Sequence, residues 1–290
     1  MTTTLEVPRP ERWYTEPQHL EVDGVALAHR RAGSGEPVLF LHGHWATRRW
    51  LPVHEALAGS VDLIAPEHPG FGETPAPAWS TGLADLVLFY RDALDALALP
   101  SAHLVGYGLG GWLAAELAVW FPERVRSLSL LAPYGLRVPG HPLANIFLMD
   151  PARFPDAYGL GTDLDDVVPG VGTPAKGGPE EFAHRYGEMG AAAKLMWQRR
   201  YDLKLETRLP RTRIPSLVVG AEHDQILPEQ HLSAWAGLLD AATVVVPGAG
   251  HAFPLTAPDA TAAAVADHVA RSRSTAPRPT TPSRPEGTDR

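Results

Sequence analysis

Short apolar runs recur along this chain, and the segments between them repeat with the period of a helix. Residues Pro37–Leu41 read Pro-Val-Leu-Phe-Leu, a continuous apolar run of the kind a strand buried on both faces requires. Residues 61–65, 103–105, 125–131, 214–219 and 243–246 carry the same signature. Between them, Leu83, Leu86, Val87, Tyr90, Leu94 and Leu97 fall on one helical face, as do Leu109, Leu113, Leu117 and Trp120, and again Leu232, Trp235 and Leu239. Upstream, Val22-Asp23-Gly24-Val25 is a turn signal between two alternating runs, which predicts a β-hairpin within residues 19–31. Strands that alternate with helices predict an α/β fold: a doubly wound, mostly parallel sheet covered on both faces.

One stretch breaks that rhythm. Residues 135–210 hold no buried-strand run but are rich in Met and aromatic side chains, which predicts an inserted helical cap. The expected organisation is an N-terminal tail at 1–17, a core at 18–134 and 211–271, the cap at 135–210, and a disordered C-terminal tail at 272–290. The last of these is Ser, Thr, Pro, Arg and Gly with almost nothing apolar to bury. Trp13 and Tyr14 are expected to dock on the core. Trp45, Phe147, Met149, Met189 and Trp197 are the candidate substrate-binding residues.

Composition narrows the functional classes. The 290 residues include no Cys, so a disulfide scaffold, a thiolate metal site and a Cys nucleophile are all excluded. The formal net charge is −8 and no Lys/Arg run occurs in the body of the chain, so no nucleic-acid partner is expected. No apolar run approaches the ~18 residues of a membrane span, and the N-terminus lacks a signal peptide's apolar segment. A cytoplasmic protein with a small-molecule partner and no membrane partner is the expectation. The 13 His show no H-E-x-x-H or similar spacing, so no metal and no cofactor are expected.

The segment His103-Leu104-Val105-Gly106-Tyr107-Gly108-Leu109-Gly110-Gly111 is a strand, a glycine-rich turn and a helix start. Gly106, Gly108 and Gly111 satisfy G-x-G-x-x-G, the dinucleotide fingerprint. That motif needs an acidic residue ~20 positions on to hold the ribose. The next strand instead ends Leu131-Ala132-Pro133-Tyr134, with no carboxylate. The alternative is a nucleophile elbow, G-x-S-x-G, spelled Gly106-Tyr107-Gly108-Leu109-Gly110, with glycine where the nucleophile stands.

Further glycine-containing turns follow the other strands. His42-Gly43-His44-Trp45 comes after Pro37–Leu41, and Pro69-Gly70-Phe71-Gly72 after the next strand. Gly220-Ala221-Glu222-His223-Asp224 and Pro247-Gly248-Ala249-Gly250-His251 follow the last two strands. The order is nucleophile position, acid, histidine. Over about residues 18–270 the chain resembles the α/β-hydrolase fold superfamily, in the capped branch of meta-cleavage-product (C–C) hydrolases and related esterases. The resemblance implies an oxyanion hole from the backbone N–H groups of His44 and Leu109, an acid at Asp224 and a base at His251. The family's serine falls on Gly108. Glu222 is the rival carboxylate, and His42 reads as a buried, hydrogen-bonded residue.

Glycine at 108 removes the covalent step. It also relieves a turn that costs a side-chain-bearing residue about 1–3 kcal/mol. Three readings follow. In the first, Asp224–His251 acts as a general base on a small, apolar-bodied ester, lactone or ketone, with the enzyme a hydrolase or lyase and no acyl intermediate. In the second, a catalytically inactive pseudo-hydrolase binds a small ligand under its cap. In the third, a serine hydrolase has had its nucleophile replaced by engineering.

Overall fold

The fold is given by a computed structural model that describes residues 13–160 and 178–275. Eight strands form one sheet: β1 (Gln18–Val22), β2 (Val25–Gly33), β3 (Pro37–Leu41), β4 (Asp62–Pro66), β5 (Ala102–Tyr107), β6 (Val125–Leu131), β7 (Ser216–Ala221) and β8 (Ala242–Val246). Their spatial order is β1-β2-β4-β3-β5-β6-β7-β8. β1 and β2 form the expected hairpin, with Val22 opposite Val25 across the two-residue turn. Asp23 and Gly24 both take positive φ (47° and 77°), as the tight turn between right-twisted strands requires. β2 joins β4 antiparallel, and every pairing from β4 through β8 is parallel.

The helical periodicity at Leu83–Leu97, Leu109–Trp120 and Leu232–Leu239 corresponds to three of the helices. The first helix in the chain is α1 (Pro52–Ala58), followed by α2 (Leu83–Ala96) and α3 (Leu109–Trp120). Between β6 and β7 lie α4 (Phe154–Tyr158), α5 (Gly178–Met196) and α6 (Leu205–Arg208); α7 (Glu229–Leu239), α8 (Phe253–Thr256) and α9 (Pro258–Thr275) complete the set among the described residues. α1 packs with α9 and α2 with α3, so the sheet is clothed by helices and its central strands are sealed. Every residue of β5 and of β7 is buried, which is why both are mostly apolar without alternation, His103 and Ser216 being the polar members. No strand lies between β6 and β7 among the described residues. No helix among them is long and apolar enough to cross a membrane.

Two expectations need correction. β8 carries a buried-strand signature but is the sheet's edge, and Val244 and Val245 are 36% and 46% exposed. An apolar run looks the same in sequence whether or not a further strand pairs with it. The C-terminal tail also begins later than residue 272. α9 runs on to Thr275, with Ser272 buried and its hydroxyl donating to His268 O at 2.8 Å. The Arg273 guanidinium stands 3.1 Å from the Glu36 carboxylate, which extends the helix's hold on the core. Residues 276–290 and 1–12 lie outside the described residues. Trp13 and Tyr14 do dock: Trp50 N–H donates to Trp13 O at 2.8 Å, and Tyr14 bridges to Arg49.

The strand order fixes where a site can form. From β3 the chain moves outward to β4, then returns across β3 to lay down β5 on its other side. The loops leaving β3 and β5 therefore part in opposite directions and leave a crevice at the carboxyl ends of these strands.

Candidate active site

The turn after β5 occupies that crevice. Gly108 has φ +53° and ψ −110°, a conformation that favours glycine, and it caps the start of α3. Its flanking glycines are there for space. A Cβ on Gly106 would lie 2.3 Å from Gly110 O, and one on Gly110 would lie 2.0 Å from Leu41 O. A Cβ on Gly108 meets only the Tyr134 ring, at an ordinary 3.7 Å. The turn is thus closed to side chains at its edges and open at its apex.

Asp224 and His251 converge on the same end of the sheet. Asp224 follows β7, and its Oδ1 accepts the backbone N–H groups of Ile226 and Leu227, each at 2.8 Å. Those two bonds aim Oδ2 at His251 Nδ1, 2.8 Å away, with the two side chains 4% and 1% exposed. The rival Glu222 is exposed and is spent on the backbone N–H of Gly248 at 2.8 Å. His251 is seated by a close backbone crossing, since a Cβ on Gly250 would come within 2.7 Å of Gly159 Cα. The Tyr107 hydroxyl donates to His251 O at 3.1 Å and fixes the turn from beneath.

The His44 side chain is fully buried and its Nε2 lies 2.9 Å from the Tyr158 hydroxyl. Burial, with His251 close by, lowers its pKa to about 3, so it stays neutral. Leu109 is the first residue of α3, so its N–H has no partner within the helix. Trp45 is buried edge-on to Tyr107 and Tyr158, with ring centroids 5.9 and 5.6 Å away.

Phe147, Met149, Met189 and Trp197 come together elsewhere. With Ile146, Phe154 and Tyr186 they line a cavity of about 470 Å³ between the loop after β6 and α5. Trp45 is not on that wall. Between cavity and histidine stand two aromatic rings. Phe154 faces the cavity and stacks on Tyr158 at 5.7 Å, and Tyr158 meets His251 edge-on at 5.3 Å. The sequence-based set thus divides into a cluster around His251 and a separate cavity between the loop after β6 and α5, with this aromatic pair between them.

His42 and His68 form a closed pair. The His68 backbone N–H donates to His42 Nε2, and the His68 ring Nε2 lies against His42 O, both at 2.9 Å, while His68 Nδ1 meets the Tyr90 hydroxyl at 2.6 Å. Burial holds His42 down to about 4 and His68 well below its usual value. Both rings are neutral and structural. Among the described residues no cluster of three or more His, Asp and Glu is placed to hold a metal.

Tyr134 and Glu188 were not legible as site residues. The Tyr134 hydroxyl lies 3.4 Å from His251 Nε2, and its backbone N–H donates to Gly108 O at 3.0 Å. It sits just past β6, where a search for carboxylates finds none; a search for any proton-bearing side chain would have found it. Glu188, on α5, accepts from the Thr47 hydroxyl and from Gly72 N–H at 2.8 Å, with His184 Nε2 at 3.3 Å. These partners hold its carboxyl down to about 2 against the effect of burial. Its only sequence signal is a Glu within an apolar segment.

Residues 38–264 match the model of the alpha/beta hydrolase family. RutD of Variovorax paradoxus (strain S110), whose name assigns it to carbamate hydrolysis, is 32% identical over 262 residues, covering 83% of this chain and 91% of that protein. The acetyltransferase component of the acetoin cleaving system of Cupriavidus necator is 37% identical over 120 residues, 41% of this chain. The match spans only about a third (32%) of that protein's length. A meta-cleavage product hydrolase from Pseudomonas fluorescens IP01 superposes with a TM-score of 0.68 at 20% identity, over 88% of this chain and 97% of that one. A bacterial membrane phospholipase A gives 0.74 at 22% identity, over 89% and 86%.

Proposed function

Since the chain belongs to the alpha/beta hydrolase family, we propose that it is a hydrolase-type enzyme that works by general-base catalysis without a covalent serine step. The observation that carries this reading is the buried Asp224–His251 pair, 2.8 Å apart, beside an elbow whose apex has no side chain. Asp224 Oδ2 accepts the Nδ1 proton of His251, which leaves the Nε2 lone pair to take a proton. The proton comes from water or from a substrate enol. The imidazolium that forms is stabilised by Asp224. Negative charge that develops on a substrate carbonyl oxygen is met by the N–H groups of His44 and Leu109.

The substrate class follows from the surroundings. The cap cavity is apolar, so the substrate is small and apolar-bodied, with an ester, lactone or ketone carbonyl to polarise. Relatives whose names assign them to carbamate hydrolysis and to 2-hydroxymuconate semialdehyde hydrolysis support carbonyl chemistry. Reaching His251 from that cavity requires Phe154 or Tyr158 to shift, which makes cap movement part of substrate entry.

Two other readings each have an observation in their favour. The ordinary 3.7 Å contact that a Cβ on Gly108 would make favours a serine hydrolase that has lost its serine. The aromatic wall between cavity and histidine favours a pseudo-hydrolase that only binds a ligand.

The deciding assay sets this protein beside His251→Ala and Gly108→Ser, on short p-nitrophenyl esters and 2,6-dioxo C–C hydrolase substrates. The general-base reading expects turnover by the protein itself, at least ~100-fold lower kcat in His251→Ala, and no gain in Gly108→Ser. Activity in Gly108→Ser alone would overturn it in favour of the missing serine. Ligand binding indifferent to His251→Ala, with no turnover, would overturn it in favour of the pseudo-hydrolase.

A further inference from the structure

The geometry points to Tyr134 as the proton-relay group of this site, standing in for the absent elbow hydroxyl by passing a proton between substrate and His251 Nε2. The inference deepens the general-base reading and rests on it. Four observations converge. The Tyr134 hydroxyl lies 3.4 Å from Nε2, within hydrogen-bond reach and at the loose length typical of a site without substrate. Its Cζ, the carbon that bears this hydroxyl, is 3.7 Å from where a Cβ on Gly108 would stand, so the phenol borders the space an elbow side chain would fill. Its backbone N–H donates to Gly108 O at 3.0 Å, which locks residue 134 to the elbow itself. Its ring lies nearly parallel to the His251 imidazole, 11° between planes and 6.0 Å between centroids, so the two rings hold a fixed mutual orientation.

Charge and tautomer set the direction of transfer. Asp224 accepts the Nδ1 proton, so neutral His251 presents a lone pair at Nε2 and Tyr134 O–H donates into it. Burial and the nearby Asp224 carboxylate push the Tyr134 phenol well above its usual range. Tyr134 therefore remains a phenol, neither a nucleophile nor a standing phenolate. The relay is a coupled transfer. As the phenolic O–H bond breaks and its proton bonds to Nε2, the phenol oxygen takes a proton from the attacking water or the substrate enol. When water is the donor, its oxygen bonds to the carbonyl carbon and the carbonyl oxygen becomes the oxyanion. Tyr134 ends as it began, His251 ends as an imidazolium beside Asp224, and no further co-reactant is needed.

The test uses Tyr134→Phe, which keeps the buried ring and removes the hydroxyl. In ¹⁵N NMR of the imidazole, the relay predicts that His251 Nε2 moves toward the position of a lone pair without a donor, while Nδ1, still bonded to Asp224, stays in place. Unmoved Nε2 overturns the relay whether or not a substrate has been found. On a substrate whose turnover depends on His251, Tyr134→Phe should lower kcat by ~100-fold or more with KM changed less than about twofold. The proton inventory in H₂O/D₂O mixtures should be bowed in the parent, where two protons move together, and linear in the variant. Equal kcat, or a bowed inventory in both, overturns the relay while leaving the general base intact. Turnover indifferent to His251→Ala instead overturns the general-base reading itself. Tyr134→Trp, which supplies an N–H that donates but accepts nothing, should fail like Tyr134→Phe; full activity in it would also overturn the relay.

Discussion

At the apex of the turn after β5 stands Gly108, at φ +53°, and its neighbours show why glycine there differs from glycine beside it. Gly110 has no alternative, because a Cβ would sit 2.0 Å from Leu41 O and 2.4 Å from His42 O, both backbone atoms that cannot turn away. Gly110→Ala is expected to force β3 and α3 apart at a cost of at least about 1–3 kcal/mol, seen as a clear fall in Tm. A Tm unchanged by that substitution would mean the turn is not packed as described. Gly108→Ser, used above as an activity probe, meets only backbone strain of about 1–3 kcal/mol and no steric block. The residues that approach His251 were partly legible. Asp224 and His251 announce themselves as a carboxylate and an imidazole after consecutive late strands. Tyr134 does not, because its role depends on a ring 117 residues away in sequence.

Among the elements, α5 is the one whose attachment is unusual for its sequence. Beside its buried apolar residues Ala192 and Met196 it makes a polar contact with the core: Glu188 reaches the loops after β3 and β4 through the Thr47 hydroxyl and the Gly72 N–H. Removing the carboxylate strands buried donors, each worth about 1–3 kcal/mol. Glu188→Ala is therefore expected to loosen α5 while the sheet stays intact. Hydrogen exchange should show reduced amide protection in residues 183–196 and unchanged protection in β5 and α3. Equal protection in both proteins would show that apolar packing, through Met189 and Met196, holds α5 without Glu188. β8 teaches the complementary lesson about elements. Its apolar run predicts a strand correctly but not an edge, since burial of a strand is a property of its neighbours.

Across the whole molecule, buried histidines set how stability responds to acid. Burial lowers His42 and His103 to about 4, and His44 and His54 to about 3, from an ordinary value near 6.5. Between pH 6.5 and those values the unfolded chain takes up protons that the folded chain refuses. Stability is complete above about 6.5 and falls as pH drops through the window, by up to ~1.4 kcal/mol per pH unit for each group. Glu188, held down to about 2 from 4.5, works the same way lower down: its contribution is present above 4.5 and lost as pH falls toward 2. Thermal melts from pH 8 to 4 should show a steep decline beginning near 6.5. A Tm that stays level to pH 5 would mean these imidazoles protonate in the folded state.

The alternation of strands and helices, the β1–β2 hairpin, and the order Gly108, Asp224, His251 were set by the sequence alone. Periodicity and turn glycines are local properties, complete within about a dozen residues, and chain order is read directly from the sequence. The tertiary structure alone decided that the rival Glu222 is turned away to Gly248 N–H, that Tyr134 faces Nε2, that Glu188 bonds to Thr47 and Gly72, and that Trp45 stands apart from the cavity lined by Phe147, Met149, Met189 and Trp197. Each of these joins segments far apart in the chain. Such contacts follow from the reversal of strand order at β3 and β5, which brings the carboxyl ends of β3, β5, β6, β7 and β8 along one edge of a single sheet. A local pattern can specify a strand and its closing turn, but only the assembled sheet determines which side chains from different turns come within bonding distance.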